Sequence, residues 1–294
     1  MMKVRIGQRE LEMGGRYLTE LRDANDILDD VGALRKRLQE DGYLLIRGFH
    51  DREAVLRARL EVLERLHEQG KLSAGHPLED GVIGPANKGF MSQGLNLDMP
   101  RLLEVVNSPR VMTFFDQFLD GPALTYDVKW LRAVPQNEFS GAHYDIVYMG
   151  RGTKNVYTTW TPIGDVSYDM GGLALCLGSQ HFAKIRNTYG QMDVDRDNVV
   201  GWFSNDPIEI VDKFGGQWAT AEFRAGDAII FGMYIMHGSA TNTTSRYRIS
   251  VDTRYQLASE PVDERWYGEK PKMHYAWNKG KTVSMEDARE RWGV

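Results

Sequence analysis

The chain of 294 residues carries a single cysteine, Cys176. One thiol cannot close an internal disulfide, so the fold has to stand on its core, and such cysteine usage fits a reducing compartment. Cys176 lies in the run Leu173-Ala174-Leu175-Cys176-Leu177 and reads as a buried core thiol. No run of about eighteen apolar residues occurs, which leaves no candidate membrane span. The opening residues Met1-Met2-Lys3-Val4-Arg5 lack the apolar stretch of a secretory signal, and a cytoplasmic location is the expectation. The formal net charge is −5 and there is no basic stripe, so nucleic-acid binding is not expected. Internal repeats, low-complexity tracts and linkers rich in Pro or Ser are also missing.

What is present suits one domain. At 42% hydrophobic residues there is enough apolar surface for a sizeable core. Residues 1–30 are polar and mixed and are expected to wrap the surface. Val31, Leu34 and Leu38 have helical spacing, ended by Asp41-Gly42. A short apolar strand follows at 43–48. Asp51 caps a second helix whose face carries Val55, Leu56, Leu60, Leu63 and Leu66. Residues 81–90 read as a long loop, and long loops in compact domains are often functional. One or two helices occupy 100–119, with a break at Ser108-Pro109. A largely helical part thus spans 1–122.

From Ala123 the pattern turns to strands, at 124–134, 143–148, 155–162, 173–177, 208–211, 218–223, 228–231 and 247–255. Many short strands divided by glycine turns predict a sandwich or jelly roll over 123–257. Residues 181–206 form a long excursion. Residues 258–294 form a tail with a final helix at 285–292. The last strand has two unlike faces. Arg246, Arg248, Ser250, Asp252 and Arg254 share one, and Tyr247, Ile249, Val251, Thr253 and Tyr255 share the other. If the second packs on the N-terminal helices, the first lines a polar cavity.

His143-Tyr144-Asp145 places two ligand side chains on one face of a strand, because side chains alternate with period two. A distant histidine, His237, can complete a facial set of two imidazoles and one carboxylate. That set leaves three neighbouring positions open on a six-coordinate metal, as in non-haem Fe(II) oxygenases. The pattern is weak alone, since a surface or core histidine is the commoner meaning of such a tripeptide. Its company strengthens it: Gly178-Ser179-Gln180-His181, the turn Ala225-Gly226-Asp227 into an apolar run, and Arg248 eleven residues after His237.

With Trp160 and His237-Gly238-Ser239 added, the chain resembles the phytanoyl-CoA dioxygenase-like branch of Fe(II)/2-oxoglutarate oxygenases, from about Gly42 to about Tyr255. The family usually has Pro where Leu177 stands, which alters a turn and not a ligand. The resemblance implies a double-stranded β-helix core, a cupin-like jelly roll with N-terminal helices on one sheet. It implies Fe(II) held by His143, Asp145 and His237, with 2-oxoglutarate as cosubstrate and O2 as oxidant. Arg248 would anchor the far carboxylate of 2-oxoglutarate, since a guanidinium forks onto a carboxylate with two hydrogen bonds. Ser239 would assist it, and Trp160 and Thr158 would form the wall beside it. Lys88 is either a further cosubstrate contact or a solvated surface lysine.

A carboxylate at Asp145 stands where related halogenases have a small residue that admits chloride, so hydroxylation of a C–H bond is the expected reaction. Desaturation, cyclisation and epoxidation are the other outcomes known among relatives, and a non-catalytic jelly-roll binding protein is the rival reading. The prime substrate should be a small molecule, held by loops over the metal at 83–96 and 146–155. Trp130, Arg132, Tyr148, Arg151 and Arg254 are its candidate contacts. Their arginines suggest an anionic or strongly polar substrate, unless Arg151 and Lys154 are solvated loop charges. A monomer or homodimer is expected.

Overall fold

The computed structural model describes residues 2–85, 90–94, 98–275 and 280–294. The N-terminal part is not the loose wrapping expected. Strands β1 (Lys3–Ile6) and β2 (Arg9–Glu12) form an antiparallel hairpin, and β3 (Leu18–Glu20) joins a sheet further on. Val4, Ile6, Leu11 and Leu18 are buried, so a period-two pattern was there, hidden among flanking charges.

Helix α1 (Val31–Asp41) starts at Asp30, which caps Ala33 N, and ends on Gly42 at φ 83°, a conformation glycine adopts without a Cβ penalty. After β4 (Tyr43–Ile46), Asp51 caps α2 (Arg52–Glu68). Strand β5 (Phe90–Gly94) precedes α3 (Pro100–Val106) and α4 (Pro109–Leu119), which break at Ser108, the α4 cap.

The remaining strands are β6 (Ala123–Thr125), β7 (Lys129–Val134), β8 (Tyr157–Pro162), β9 (Leu173–Leu177), β10 (Val199–Val200), β11 (Gln217–Thr220), β12 (Ala228–Gly232), β13 (His237–Ser239), β14 (Arg248–Leu257) and β15 (Val283–Ser284). The larger sheet runs β4-β12-β8-β14-β7-β5, with β6 also paired to β14, and the smaller runs β13-β9-β11-β3. Trp160 on β8 and Ile229 and Phe231 on β12 pack against Leu173 and Leu175 on β9. The two sheets therefore face each other as the expected jelly roll.

The outer face of the larger sheet is covered by helices. Val55, Val62 and Leu66 of α2 and Leu102 and Val106 of α3 meet Tyr247, which precedes β14, and Ile249 and Val251 of β14. Phe115 of α4 stacks on Tyr255 with ring centroids 4.0 Å apart. Each such buried side chain contributes about 1.5–3 kcal/mol. With its outer face committed, β14 turns Arg248, Ser250, Asp252 and Arg254 inward, as its alternation predicts. Arg246 lies beyond the strand and is exposed, 3.6 Å from Asp80. Among the described residues, no helix is long and apolar enough to cross a membrane.

Two expected strands are not strands. Residues 208–211 belong to helix α5 (Pro207–Phe214), because Asp206 caps Ile208 N and Pro207 takes the first helical position. A four-residue apolar run does not by itself distinguish the two states. Residues 146–149 form a short helical turn, Ile146–Met149, instead of continuing a ligand strand. Helix Met285–Trp292 ends the chain as expected, capped by Ser284.

Lys129 on β7 is buried, with Nζ donating to Thr125 Oγ1 at 2.7 Å and to the Tyr126 carbonyl. Burial pushes its pKa down to about 7, and Arg254 pushes the same way. Its folded pKa is below the unfolded value, so between about pH 7 and pH 10 the unfolded chain binds more protons. Stability should therefore rise with pH across that window. Urea midpoints at pH 7 and pH 9.5 are expected to show this rise in the wild type and not in Lys129→Met; equal slopes would assign it to other groups.

Candidate metal centre and the two cavities beside it

His143 and His237 are brought together by backbone pairing. His143 N donates to His237 O at 2.9 Å, and His237 N donates back to His143 O at 3.0 Å. Their rings lie 4.1 Å apart, centroid to centroid. Asp145 follows, but not by the extended alternation expected. It has φ −66° and ψ −27° and starts the turn of helix at 146–149. The turn still delivers its Oδ1 to 3.7 Å from His237 Nε2 and 4.0 Å from His143 Nε2. The three donor atoms lie within 4.8 Å of one another, all from buried residues. This is the one such cluster found among the described residues.

The donor set is prepared for a divalent cation. His143 Nδ1 lies 2.8 Å from Gly141 O, and His237 Nδ1 lies 3.0 Å from Ile235 O. A carbonyl only accepts, so each Nδ1 carries the proton and each Nε2 presents its lone pair. Burial, with His237 alongside, pushes His143 down to about 3, and burial also lowers His237. Both imidazoles are thus neutral, as ligands must be. Burial alone would raise Asp145, but Arg254 and the two imidazoles outweigh it and hold the carboxyl well below its usual range. Its second oxygen, Oδ2, accepts from Arg254 Nη2 at 3.1 Å and from the Thr158 hydroxyl. One carboxylate oxygen is therefore tied back and the other is left for a metal. Thr158, expected in the wall beside the cosubstrate, gives its proton to this carboxylate and also lines the slot beyond it.

A narrow slot runs from the triad into the jelly roll. Trp160, Ser239 and Arg248 line it, together with Leu173 and Phe231. Arg248 is only 2% exposed, with Nε on Gly171 O at 3.1 Å and Nη1 on Ser250 Oγ at 2.5 Å. Burial, and then Arg132, push its pKa down to about 10, which leaves it a cation at neutral pH. Ser239 Oγ accepts from Ser140 N at 2.9 Å, so its proton remains to be donated. A cation, a hydroxyl and an aromatic wall inside a closed fold could receive an anion next to the candidate metal cluster.

On the other side of His143 and Asp145 opens a cavity of about 680 Å³. Four of the five expected substrate contacts line it: Trp130, Arg132, Tyr148 and Arg254. Arg151 does not. It pairs with Asp193 at 2.7 Å, donates to Tyr275 Oη at 2.6 Å, and so binds the excursion and the tail to the loop after Asp145. Arg254 lines the wall while serving Asp145, and its guanidinium lies 4.5 Å from the Trp130 ring. Lys88 lies outside the described residues, as does part of the 83–96 loop.

Sequence reasoning missed the other walls. Trp202, whose ring is 4.8 Å from that of His143, comes from the excursion, and Trp266 and His274 come from the tail. The tail is held by Arg265, fully buried between Asp195 and Asp263 at 2.6 Å each. The only hint in the sequence was the aromatic content of that segment.

The model of the phytanoyl-CoA dioxygenase (PhyH) family matches residues 38–250. A 1-deoxypentalenic acid 11-beta-hydroxylase of Streptomyces exfoliatus is 26% identical over 254 residues, covering 82% of this chain and 87% of the relative. The enzyme of the same name from Streptomyces arenae is 24% identical over 249 residues, covering 81% and 85%. Among solved structures, the non-heme alpha ketoglutarate dependent epimerase SnoN from nogalamycin biosynthesis superposes with a TM-score of 0.57 at 15% identity, covering 87% of this chain and 93% of SnoN. EctD from S. alaskensis, with 2-oxoglutarate and 5-hydroxyectoine, also gives 0.57, at 16% identity and 86% and 85% coverage. These two likenesses concern the fold.

Proposed function

Because the chain belongs to the phytanoyl-CoA dioxygenase family, we propose that it hydroxylates a C–H bond of a small-molecule metabolite while 2-oxoglutarate is converted to succinate and CO2. The protein is an iron- and 2-oxoglutarate-dependent oxygenase; the reaction outcome, the substrate and the residue roles are the proposal. The observation that carries it is the meeting of two unlike cavities at one buried His143–Asp145–His237 cluster.

His143, Asp145 and His237 would hold Fe(II), which when bound supplies O2 activation coupled to loss of CO2 from the oxoacid. One atom of O2 then ends in succinate and the other in the product hydroxyl. Arg248 would fork onto the far carboxylate of 2-oxoglutarate, with Ser239 donating beside it and Trp160 closing the wall. Arg254 and Thr158 hold Asp145 in place, so the ligand position stays a carboxylate and leaves no room for halide. Tyr148 and Trp202 flank His143 on the substrate side and keep bulk water from it. Hydroxylation is also the activity named for the two Streptomyces relatives.

The test is binding followed by turnover. Mn(II) with 2-oxoglutarate should stabilise the protein by about 2.7 kcal/mol at a hundredfold excess over Kd, read as a rise in Tm. With Fe(II) and O2 the protein should release succinate, even slowly without prime substrate. No Tm shift and no succinate would leave only a binding module.

A further inference from the structure

Tyr148 follows Asp145 by three residues on the helical turn Ile146–Met149. On a helix that spacing brings two side chains to one side, whereas a strand would have sent Tyr148 to the opposite face. The backbone of Tyr148 is pinned twice: its N donates to Asp145 O at 3.0 Å, and Trp266 Nε1 donates to its carbonyl at 3.2 Å. The ring stands edge-on to His143 at 5.7 Å and to His274 at 6.0 Å, centroid to centroid. All four of these neighbours line the outer cavity, and so does Tyr148.

The hydroxyl is not held in this way. Among the described residues Tyr148 Oη makes no hydrogen bond, yet it is not one of the unpartnered polar atoms sealed inside the protein. On a half-buried side chain lining the cavity, that leaves it opening on the cavity. Burial, and then the charge of Asp145, push the phenol pKa well up, so the oxygen keeps its proton and can donate it. An occupant of the cavity displaces the solvent that would otherwise serve this hydroxyl. It must then accept from Tyr148 Oη or strand it, and a stranded donor costs more than a made bond returns. The field beside it also favours an acceptor. Arg132 and Arg254 line the same wall, and Arg254 Nη1 has no partner. The pair that Arg254 makes with Asp145 does not bar a charged acceptor, because one guanidinium can serve two carboxylates, as Arg265 serves Asp195 and Asp263 at 2.6 Å each.

We infer that Tyr148 is a specificity-determining residue: its hydroxyl donates to an acceptor oxygen of the prime substrate, a carbonyl or a carboxylate, at the end of the cavity beside His143 and Asp145. The inference rests on the oxygenase reading and says which end of the substrate faces the candidate metal cluster. The oxygenated end is held by Tyr148. The hydrocarbon remainder lies along Trp130 and Trp266, whose rings meet edge-on at 5.2 Å.

The experiment uses full-length protein loaded with Mn(II) and 2-oxoglutarate and three probes of one shape. These are 2-acetonaphthone, 2-naphthoate and 2-isopropenylnaphthalene, which present a carbonyl, a carboxylate and an isosteric alkene with no acceptor oxygen. Kd for each is measured by titration calorimetry in the wild type and in Tyr148→Phe, which removes the hydroxyl and keeps the ring. Stabilisation by Mn(II) and 2-oxoglutarate is measured first and separately; its failure counts against the oxygenase reading, while the probes still report on the cavity. Tyr148→Phe is expected to weaken the ketone about threefold to tenfold, or the carboxylate about tenfold or more, and to leave the alkene within about twofold. A loss confined to one of the two oxygen probes supports the inference and identifies which acceptor the site takes. A loss shared equally by the alkene assigns Tyr148 to packing alone and overturns it. So does a loss below about twofold for both oxygen probes, or no binding of either at about 1 mM.

Discussion

Replacing His143 or His237 by alanine is expected to lower Fe(II)-dependent 2-oxoglutarate turnover by about a thousandfold or more, with little loss of stability. Each imidazole is neutral and donates one hydrogen bond to a carbonyl two residues before it. Removing it leaves a small polar void and no stranded charge. Asp145→Ala should differ. It also ends turnover, but it takes the carboxylate from Arg254, which is 3% exposed. An unpaired buried cation costs about 3–5 kcal/mol. The histidine variants should therefore keep nearly the wild-type urea midpoint while Asp145→Ala unfolds much earlier, and all three should lose Mn(II) binding. Near wild-type turnover in any one of them would remove that residue from the ligand set.

That contrast was not readable in the sequence. His143, Asp145 and His237 could be picked out by residue type and spacing, but strand alternation does not account for Asp145. Asp145 reaches the site from a helical turn and not from a continuing strand. The two faces of β14 were legible because one partner face is helix and the other is cavity, so its alternation had to be strict. Arg254 was legible as inward-facing. Its attachment to Asp145, 109 residues away, was not, because a pairing at that separation leaves no local pattern.

The same limit explains the walls. Trp202, Trp266 and His274 come from irregular segments with no period to read, placed by the buried Arg265 knot and by the pairing of Val199–Val200 with Val283–Ser284. Arg151 has the residue type of a substrate contact and a location beside the ligands. Asp193, 42 positions on, claims it. Where charge decided a role, the sequence supplied candidates and only the partner supplied the role.

Arg248 is the case in which residue type and partners agree. Its inward position follows from β14, and among the described residues no carboxylate pairs with it; its Nε and Nη1 contacts go to a carbonyl and a hydroxyl. Such contacts orient a guanidinium without neutralising it. Burial pushes its pKa down to about 10, a sign that the charge is held at a cost an incoming dianion would offset. Arg248→Ala is expected to raise the KM for 2-oxoglutarate about 30- to 1000-fold, the equivalent of losing about 2–4 kcal/mol from a charge-assisted pair at a buried site. Arg248→Lys should recover only part of this, because an ammonium keeps the charge and loses the planar fork. Affinity for Mn(II) alone should stay near wild type in both variants, since Arg248 donates to none of the three candidate ligands. Steady-state kinetics in 2-oxoglutarate and a Mn(II) titration separate the two effects. An unchanged KM with weakened binding of the prime substrate would assign the slot, and with it Arg248, to the wrong molecule.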